Sequence, residues 1–231
     1  MLKFVAKMAK KRRHMSARFA GWVVCAAALF AAWPSSAYMA FMQTGDIPEP
    51  GHYQISSHLQ FAASEIDGIT LAGRGESRLT EATTLFTSVG FGAIKFMAGF
   101  GLKWVPYPDF EQQPALGATF SVWYGYNEWQ ITVPPSETSE VSLRVTPFAS
   151  KKYQVEFGEL NAYVALPFGA TDRERGSRYP IHLVAGFAAH NPEHKQIAFT
   201  GEIGLNLHDA FNYFTVGAAY DFDPEKGWVT E

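Results

Sequence analysis

Eight charged residues stand at alternating positions among apolar ones: Arg74, Glu76, Arg78, Lys95, Lys103, Arg144, Glu159 and Glu202. Side chains of a β-strand point alternately to its two faces, so the spacing of Arg74, Glu76 and Arg78 puts all three on one face. A charge removed from water is costly unless it is paired. Because both signs occur, the set predicts either an interior filled by ion pairs or a narrow passage whose selectivity comes from these charges.

Side chains that suit catalysis or metal binding are sparse after the first 37 residues. Six histidines remain there and no cysteine, since the single cysteine is Cys25. His182 with a serine would supply a base and a nucleophile, and His190, Glu193 and His194 offer three metal ligands. A proline inside the second group favours a solvated turn, and a hydrogen-bonded interior position is the simpler role for His182. We therefore predict no catalytic residues, no metal site and no cofactor.

The elements that must hold these residues are strands punctuated by glycine and proline. Apolar and polar residues alternate singly in ten segments, which is typical of strands with two different faces. The segments are residues 52–62, 68–79, 84–92, 94–105, 115–126, 140–149, 156–168, 179–190, 196–207 and 211–222. Such lengths suit tilted strands that cross a bilayer, which need about 9–11 residues.

The last of these segments carries a motif, Thr215-x-Gly217-x-x-Tyr220-x-Phe222. It resembles the C-terminal strand signal of bacterial outer-membrane β-barrel proteins. In that family the assembly machinery recognises a polar residue, a glycine and two spaced aromatic residues. The resemblance implies that these four residues are an assembly signal, and that outer-membrane lipid and the assembly machinery are partners. It also implies a location in the outer membrane of a Gram-negative-type bacterium.

The first 37 residues have the pattern of a secretory signal peptide. Seven basic and no acidic residues lie in positions 1–18, an apolar run covers 19–33, and small residues precede a cut after Ala37. The apolar run is shorter than the roughly 20 residues that a membrane-spanning helix needs. Either Met1 or Met15 fits as the start. We predict a signal peptide at 1–37, a transmembrane β-barrel at 38–222 and a short polar tail at 223–231.

Removal of the signal peptide changes the charge of the chain. Seven of the 19 basic residues lie before residue 38 and none of the 22 acidic ones do, which leaves 12 basic against 22 acidic side chains. A nucleic-acid partner requires clustered lysine and arginine. The sequence therefore predicts no binding of nucleic acid, and it leaves the oligomeric state open.

Alternation alone does not say which face of the sheet lies inside. A soluble barrel places its apolar face inward, and an outer-membrane barrel places it outward. Glycines recur on the polar face, where a narrow lumen needs small residues beside large ones. Aromatic residues recur near strand ends, as in the girdles at membrane–water boundaries.

These features predict an all-β fold, a closed antiparallel up-and-down transmembrane β-barrel of about ten strands, with eight to twelve possible. The predicted function is a structural role or passive passage of small solutes through a narrow, charged lumen. The alternatives are an outer-membrane hydrolase acting on lipid or peptide and a soluble periplasmic binding barrel. With a periplasmic amino terminus, residues 127–139 and 169–178 become outward-facing loops, and residues 106–114 and 150–155 become periplasmic turns.

Overall fold

A computed structural model describes residue 42 and residues 44–63, 68–129, 136–156, 158–173 and 176–225. Its strands are β1 (Tyr53–Ala63), β2 (Gly68–Thr80), β3 (Thr83–Gly92), β4 (Phe96–Tyr107), β5 (Ala115–Trp129), β6 (Ser136–Val155), β7 (Gly158–Ala165), β8 (Phe168–Arg173), β9 (Ile181–Asn191), β10 (His194–His208) and β11 (Asn212–Phe222). Within these residues no helix is long and apolar enough to cross a membrane. The predicted signal peptide at 1–37 and the end of the predicted tail, 226–231, lie outside the described residues.

The strands form one antiparallel sheet that closes on itself. Apart from β7 and β8, each strand pairs with the next strand along the chain. β11 pairs with β1 from Tyr53↔Phe222 to Ala63↔Asn212. β7 and β8 follow one another between β6 and β9, so eleven strands occupy ten positions around the barrel. Closure pairs the backbone of the first strand with that of the last and removes the free sheet edge. The predicted closed antiparallel barrel of about ten strands is confirmed.

The seventh predicted strand is interrupted at Leu166 and Pro167. Proline has no backbone N–H to contribute to a ladder, and β7 ends just before it. The backbone bonds on either side are kept, since Leu166 N–H donates to the Pro147 carbonyl and His182 N–H donates to the Pro167 carbonyl, each at 3.0 Å. The wall is therefore continuous across the break.

Apolar side chains lie on the outside of the barrel and polar ones on the inside. Val164 and Leu143 are 54% and 58% exposed, whereas Arg74 and Glu202 are 4% and 2% exposed. The exposed apolar set includes Tyr53, Ile55, Leu59, Phe61, Leu71, Phe91, Phe100, Trp104, Phe120, Tyr124, Leu183, Phe199, Ile203 and Phe214. A soluble barrel has the reverse arrangement, so the fold is that of a barrel whose outer face suits lipid.

Inward glycines make room for inward aromatic rings. A Cβ on Gly99 would lie 2.3 Å from the Trp123 ring, and a Cβ on Gly204 would lie 1.9 Å from the Tyr213 ring. Both rings are buried. Small and large residues thus alternate across the lumen, as the glycines of the polar face predicted.

The strands extend beyond several of their predicted ends. Residues 150–155 are not a turn, because β6 continues to Val155 and pairs with β7 from Phe148↔Ala165 to Val155↔Gly158. β5 and β6 also pair across most of the predicted loop at 127–139, and β8 takes up part of the loop predicted at 169–178. The polar residues of 150–155, including Lys151 and Lys152, favoured a turn in the sequence. In the structure both lysines lie within β6 and pair with carboxylates from elsewhere in the chain, Asp109 and Asp46.

Ten strand positions bring both ends of the barrel to one rim. We call this the N-terminal rim; β1 begins there, β11 ends there, and the β2–β3, β4–β5, β6–β7 and β9–β10 connections lie there. The other ends of the strands lie at the opposite rim, apart from the ends of β7 and β8 that meet within the wall.

Candidate functional site: the polar lumen

The lumen is lined by buried polar side chains from all around the barrel. They come from alternate positions of the strands. Because alternate side chains point to the same face of a sheet, all of them face the lumen and none faces the outside. The buried polar set is His58, Gln60, Thr70, Arg74, Glu76, Thr84, Ser88, Lys103, Thr119, Ser121, Ser142, Arg144, Thr146, Ser150, Asn161, Thr171, His182, Glu202 and Thr215.

Three of the predicted lumen residues form an ion-paired group. Glu76 Oε1 lies 2.7 Å from Arg74 Nη2 in an ion pair, and Glu76 Oε2 accepts a hydrogen bond from Lys103 Nζ at 2.8 Å. Arg74 and Glu76 stand two apart on β2, and Lys103 reaches them from β4. The Arg74 guanidinium also lies 3.9 Å from the centroid of the Phe86 ring, a cation–π contact. Since all three side chains are almost fully buried, each charge depends on its partners.

Glu202 is the centre of a second polar group. Its Oε1 accepts from the Tyr213 hydroxyl at 2.6 Å, and its Oε2 accepts from the Tyr163 hydroxyl and from the Met42 N–H, the latter at 2.7 Å. Tyr163 lies on β7, Glu202 on β10 and Tyr213 on β11, so the group ties three strands together.

Arg144 and His182 both pack against aromatic rings in the interior. The Arg144 guanidinium carbon is 5.5 Å from the centroid of the Trp123 ring. The His182 ring meets the rings of Phe211 and Tyr213 edge-on, with centroids 5.7 and 6.0 Å apart. Arg144 thus faces inward as the sequence predicted, and His182 packs among aromatic rings.

The other predicted lumen residues lie away from the centre. Glu159 stands at the N-terminal rim, where it accepts from Gln154 Nε2 at 3.2 Å and pairs with Lys152 at 3.3 Å. Arg78 is near the same rim and donates from Nε to the Thr80 carbonyl at 3.2 Å.

Lys95 does not face the lumen. It lies exposed in the connection between β3 and β4, with its Nζ 5.7 Å from the centroid of the Tyr126 ring. The prediction failed because β4 begins only at Phe96. Inward alternation therefore starts with Met97, two residues after Lys95, which a bend carries outside the barrel.

The four residues of the predicted assembly signal lie on β11, the strand that closes the barrel. Thr215 is buried inside, and a Cβ on Gly217 would lie 2.5 Å from His58 Nδ1 of β1. Tyr220 donates from its hydroxyl to Gln196 Oε1 at 3.2 Å, and Phe222 is the register partner of Tyr53.

No group of three or more metal-binding side chains occurs among the described residues. Glu193 is exposed in the short connection between β9 and β10, and His194 is exposed at the start of β10. Both positions agree with a solvated turn.

The N-terminal rim opens into two cavities of about 710 and 560 Å³. Their walls carry eight carboxylates, Asp46, Glu49, Glu81, Asp109, Glu111, Glu159, Asp221 and Asp223, against the two lysines Lys151 and Lys152. This end of the lumen is therefore acidic. Deeper in, a cavity of only about 30 Å³ lies between residues that include Met42, His58 and Glu76.

Lys151 fastens the β4–β5 connection over the larger cavity. Its Nζ pairs with Asp109 Oδ1 and donates to the Glu111 carbonyl, while Lys152 N–H donates to Asp109 Oδ2 at 2.7 Å. Burial acts to raise the pKa of Asp109, but these hydrogen bonds and the two ammonium charges hold that pKa below its usual value. The connection is thus held in one position against β6.

Residues 44–52, together with Met42, fold back into the barrel from the N-terminal rim; we call them the inserted segment. Asp46 of this segment meets Lys152 and Asn161 of the wall. Sequence reasoning missed it, because neither alternation nor a motif marks a stretch without strand character that precedes the first strand. Tyr163 and Tyr213 were also missed as site residues, although their alternation with outward residues places them on the polar face.

No protein-family model matches the sequence, and no curated protein matches it either. Several solved structures resemble the fold. The β-domain of the Bordetella autotransporter BrkA is 10% identical over 74% of this chain and 98% of that chain, with a TM-score of 0.47. The translocator domain of autotransporter NalP from Neisseria meningitidis is 12% identical over 77% and 91%, with a TM-score of 0.45. The KdgM porin is 13% identical over 73% and 99%, with a TM-score of 0.38. All three are bacterial outer-membrane barrels.

Proposed function

We propose that this chain is an integral barrel of the bacterial outer membrane whose narrow, charged lumen lets small solutes pass slowly. The observation that carries the proposal is the division of faces, with apolar side chains outward and the charged groups of Glu76 and Glu202 inward. In lipid every backbone polar group needs a partner within the protein, and a closed barrel supplies it.

The N-terminal rim then faces the periplasm. An even number of strand positions puts both barrel ends on one side, and the longer loops of such barrels face outward. The predicted signal peptide supports export, and the motif on β11 supports insertion by the outer-membrane assembly machinery, which with lipid is the proposed partner.

The narrowness of the lumen supports slow passage. A barrel of about eight strands has an interior just wide enough for side chains, and here the Arg74–Glu76–Lys103 group and the Glu202 group both cross the middle. The cavity between residues that include Met42, His58 and Glu76, of about 30 Å³, has room for little more than water, since one water needs roughly 10–15 Å³.

The acidic N-terminal rim supports a preference for cations. A mouth lined by charges of one sign raises the local concentration of the opposite ion. With eight carboxylates against two lysines around the two cavities, we expect small cations to enter more readily than anions.

Planar-bilayer recording tests this function. Residues 38–231, refolded in detergent, are expected to give small and infrequent conductance steps, with a reversal potential in a KCl gradient that shows K⁺ passing faster than Cl⁻. The double variant E81Q/E111Q, which removes two rim charges, should lower that ratio, and Gln196→Ala serves as a neutral control at the same rim. A silent bilayer would contradict passage, and a large, unselective conductance would contradict the narrow lumen.

A further inference from the structure

The inserted segment turns sharply before the barrel begins. His52 N–H donates to the Glu49 carbonyl at 3.0 Å, and Gly51 has a φ of +80°, a conformation that glycine adopts without strain. The chain therefore runs down the inside of the barrel to the N-terminal rim, reverses there and continues as β1 of the wall.

Polar contacts fasten the segment to the wall at several heights. The Asp46 carboxylate is held on both oxygens, by Lys152 Nζ at 2.8 Å and by Asn161 Nδ2 at 2.6 Å. Lys103 Nζ donates to the Asp46 carbonyl at 2.7 Å, and Gly45 N–H donates to Ser150 Oγ at 2.7 Å. Met42 N–H is also held, by Glu202 Oε2 at 2.7 Å, but Asp46 makes more of these contacts than Met42 or Gly45 does.

Open space surrounds the inserted segment between these polar contacts. Asp46 and Ile47 separate the cavities of about 710 and 560 Å³, since both residues line both cavities. Ile47 packs against the apolar cluster around Val105, Ala115 and Phe148, and Gly45 lies close to Ala115 of the same cluster. Segments with few buried apolar contacts detach at low free-energy cost, so the polar contacts of Asp46 decide whether this one stays.

We infer that the inserted segment is a plug, latched by Asp46 to Lys152 and Asn161, and that its release joins the two rim cavities and uncovers the lumen wall around Ser150. Lys103 lies at the point of contact between plug and wall, because its Nζ holds both the Asp46 carbonyl and the Glu76 carboxylate. Release of the latch leaves the Lys103–Glu76 pair in place and opens the lumen from the periplasmic side. The inference rests on the proposed function for its orientation in the membrane.

The accessibility of Ser150 tests the plug. Ser150 is 3% exposed and lies under Gly45, and a mature chain beginning at residue 38 has no cysteine. In a refolded Ser150→Cys chain we expect a charged methanethiosulfonate reagent added from the N-terminal side to react at least tenfold faster once Asp46→Ala is added. The matched control is Glu111→Ala, which removes a carboxylate from the same cavity without touching the plug.

Lys152→Met removes the latch from the barrel side and should produce the same acceleration, so the test does not depend on one variant folding. Equal reaction rates in the latch variants and the Glu111→Ala control would overturn the plug. Conductance of the same chains is read separately. Fast labelling without added conductance supports the plug and counts against the proposed passage of solutes, whereas a rise in both supports the two together.

Discussion

Glu76 forms ion pairs with two buried cations, Arg74 and Lys103, so the charges in this part of the interior depend on it. Removal of one partner from a buried ion pair costs about 3–5 kcal/mol, because the remaining charge is left uncompensated. Here one carboxylate serves two partners whose side chains are at most 3% exposed. The lumen is therefore stabilised by a mutual dependence of charges.

We expect Glu76→Gln to lower the free energy of unfolding by about 3–5 kcal/mol. The measurement is urea unfolding in lipid vesicles, followed by tryptophan fluorescence. Glu81→Gln, an exposed carboxylate in the β2–β3 turn, is the control and should stay within about 0.5 kcal/mol of the parent. If the two variants were equally stable, the ion-paired group would not support the fold.

The sequence predicted correctly which charged side chains face inward wherever the residue lies within a regular strand. Arg74, Glu76, Lys103, Arg144 and Glu202 all face inward, because each sits within a regular strand. The prediction that Lys95 faces the lumen was wrong because this residue lies in a bend, where the inward and outward alternation of the strand does not hold. The partners of Asp46 are 57 and more residues away in the chain, and no local pattern carries that information.

At the scale of the element, each strand has one face for lipid and one for the lumen. The period of two predicted which segments form strands and which side chains face the lumen. It did not predict where the strands end. The ends were missed because pairing, not composition, sets them, and β6 continues through two lysines whose carboxylate partners come from elsewhere in the chain.

The depth of an outward position should set the cost of a charge there. An arginine on the lipid face costs about 2–4 kcal/mol at the middle of the bilayer and about 0–1 kcal/mol near its edges. Leu143 lies in the middle part of β6 and is 58% exposed, and Leu79 lies beside the N-terminal rim and is 62% exposed. We expect Leu143→Arg to destabilise the barrel by the larger amount and Leu79→Arg by the smaller, measured by unfolding in vesicles. Equal and negligible costs would indicate water, not lipid, around the barrel.

At the scale of the whole molecule, the closing seam joins the first and last strands. β1 and β11 pair over eleven register positions, Gln54 Nε2 donates to Asp221 Oδ1 across the seam at 2.9 Å, and the Phe61 and Phe214 rings stack outside it. Closure requires the last strand to be in place, which fits the position of the predicted assembly signal on β11. The barrel then encloses the inserted segment, so the same chain builds both the wall and the proposed plug.

Collision accessibility of spin labels tests the outward apolar face most directly. Single cysteines at positions 141 to 146 of β6, each carrying a nitroxide label in lipid vesicles, report contact with oxygen dissolved in the bilayer and with a water-soluble nickel complex. We predict high oxygen accessibility at 141, 143 and 145, low accessibility at 142, 144 and 146, and little contact with nickel at the first three. High nickel contact at 141, 143 and 145 would show that water surrounds the barrel and would contradict its place in a membrane.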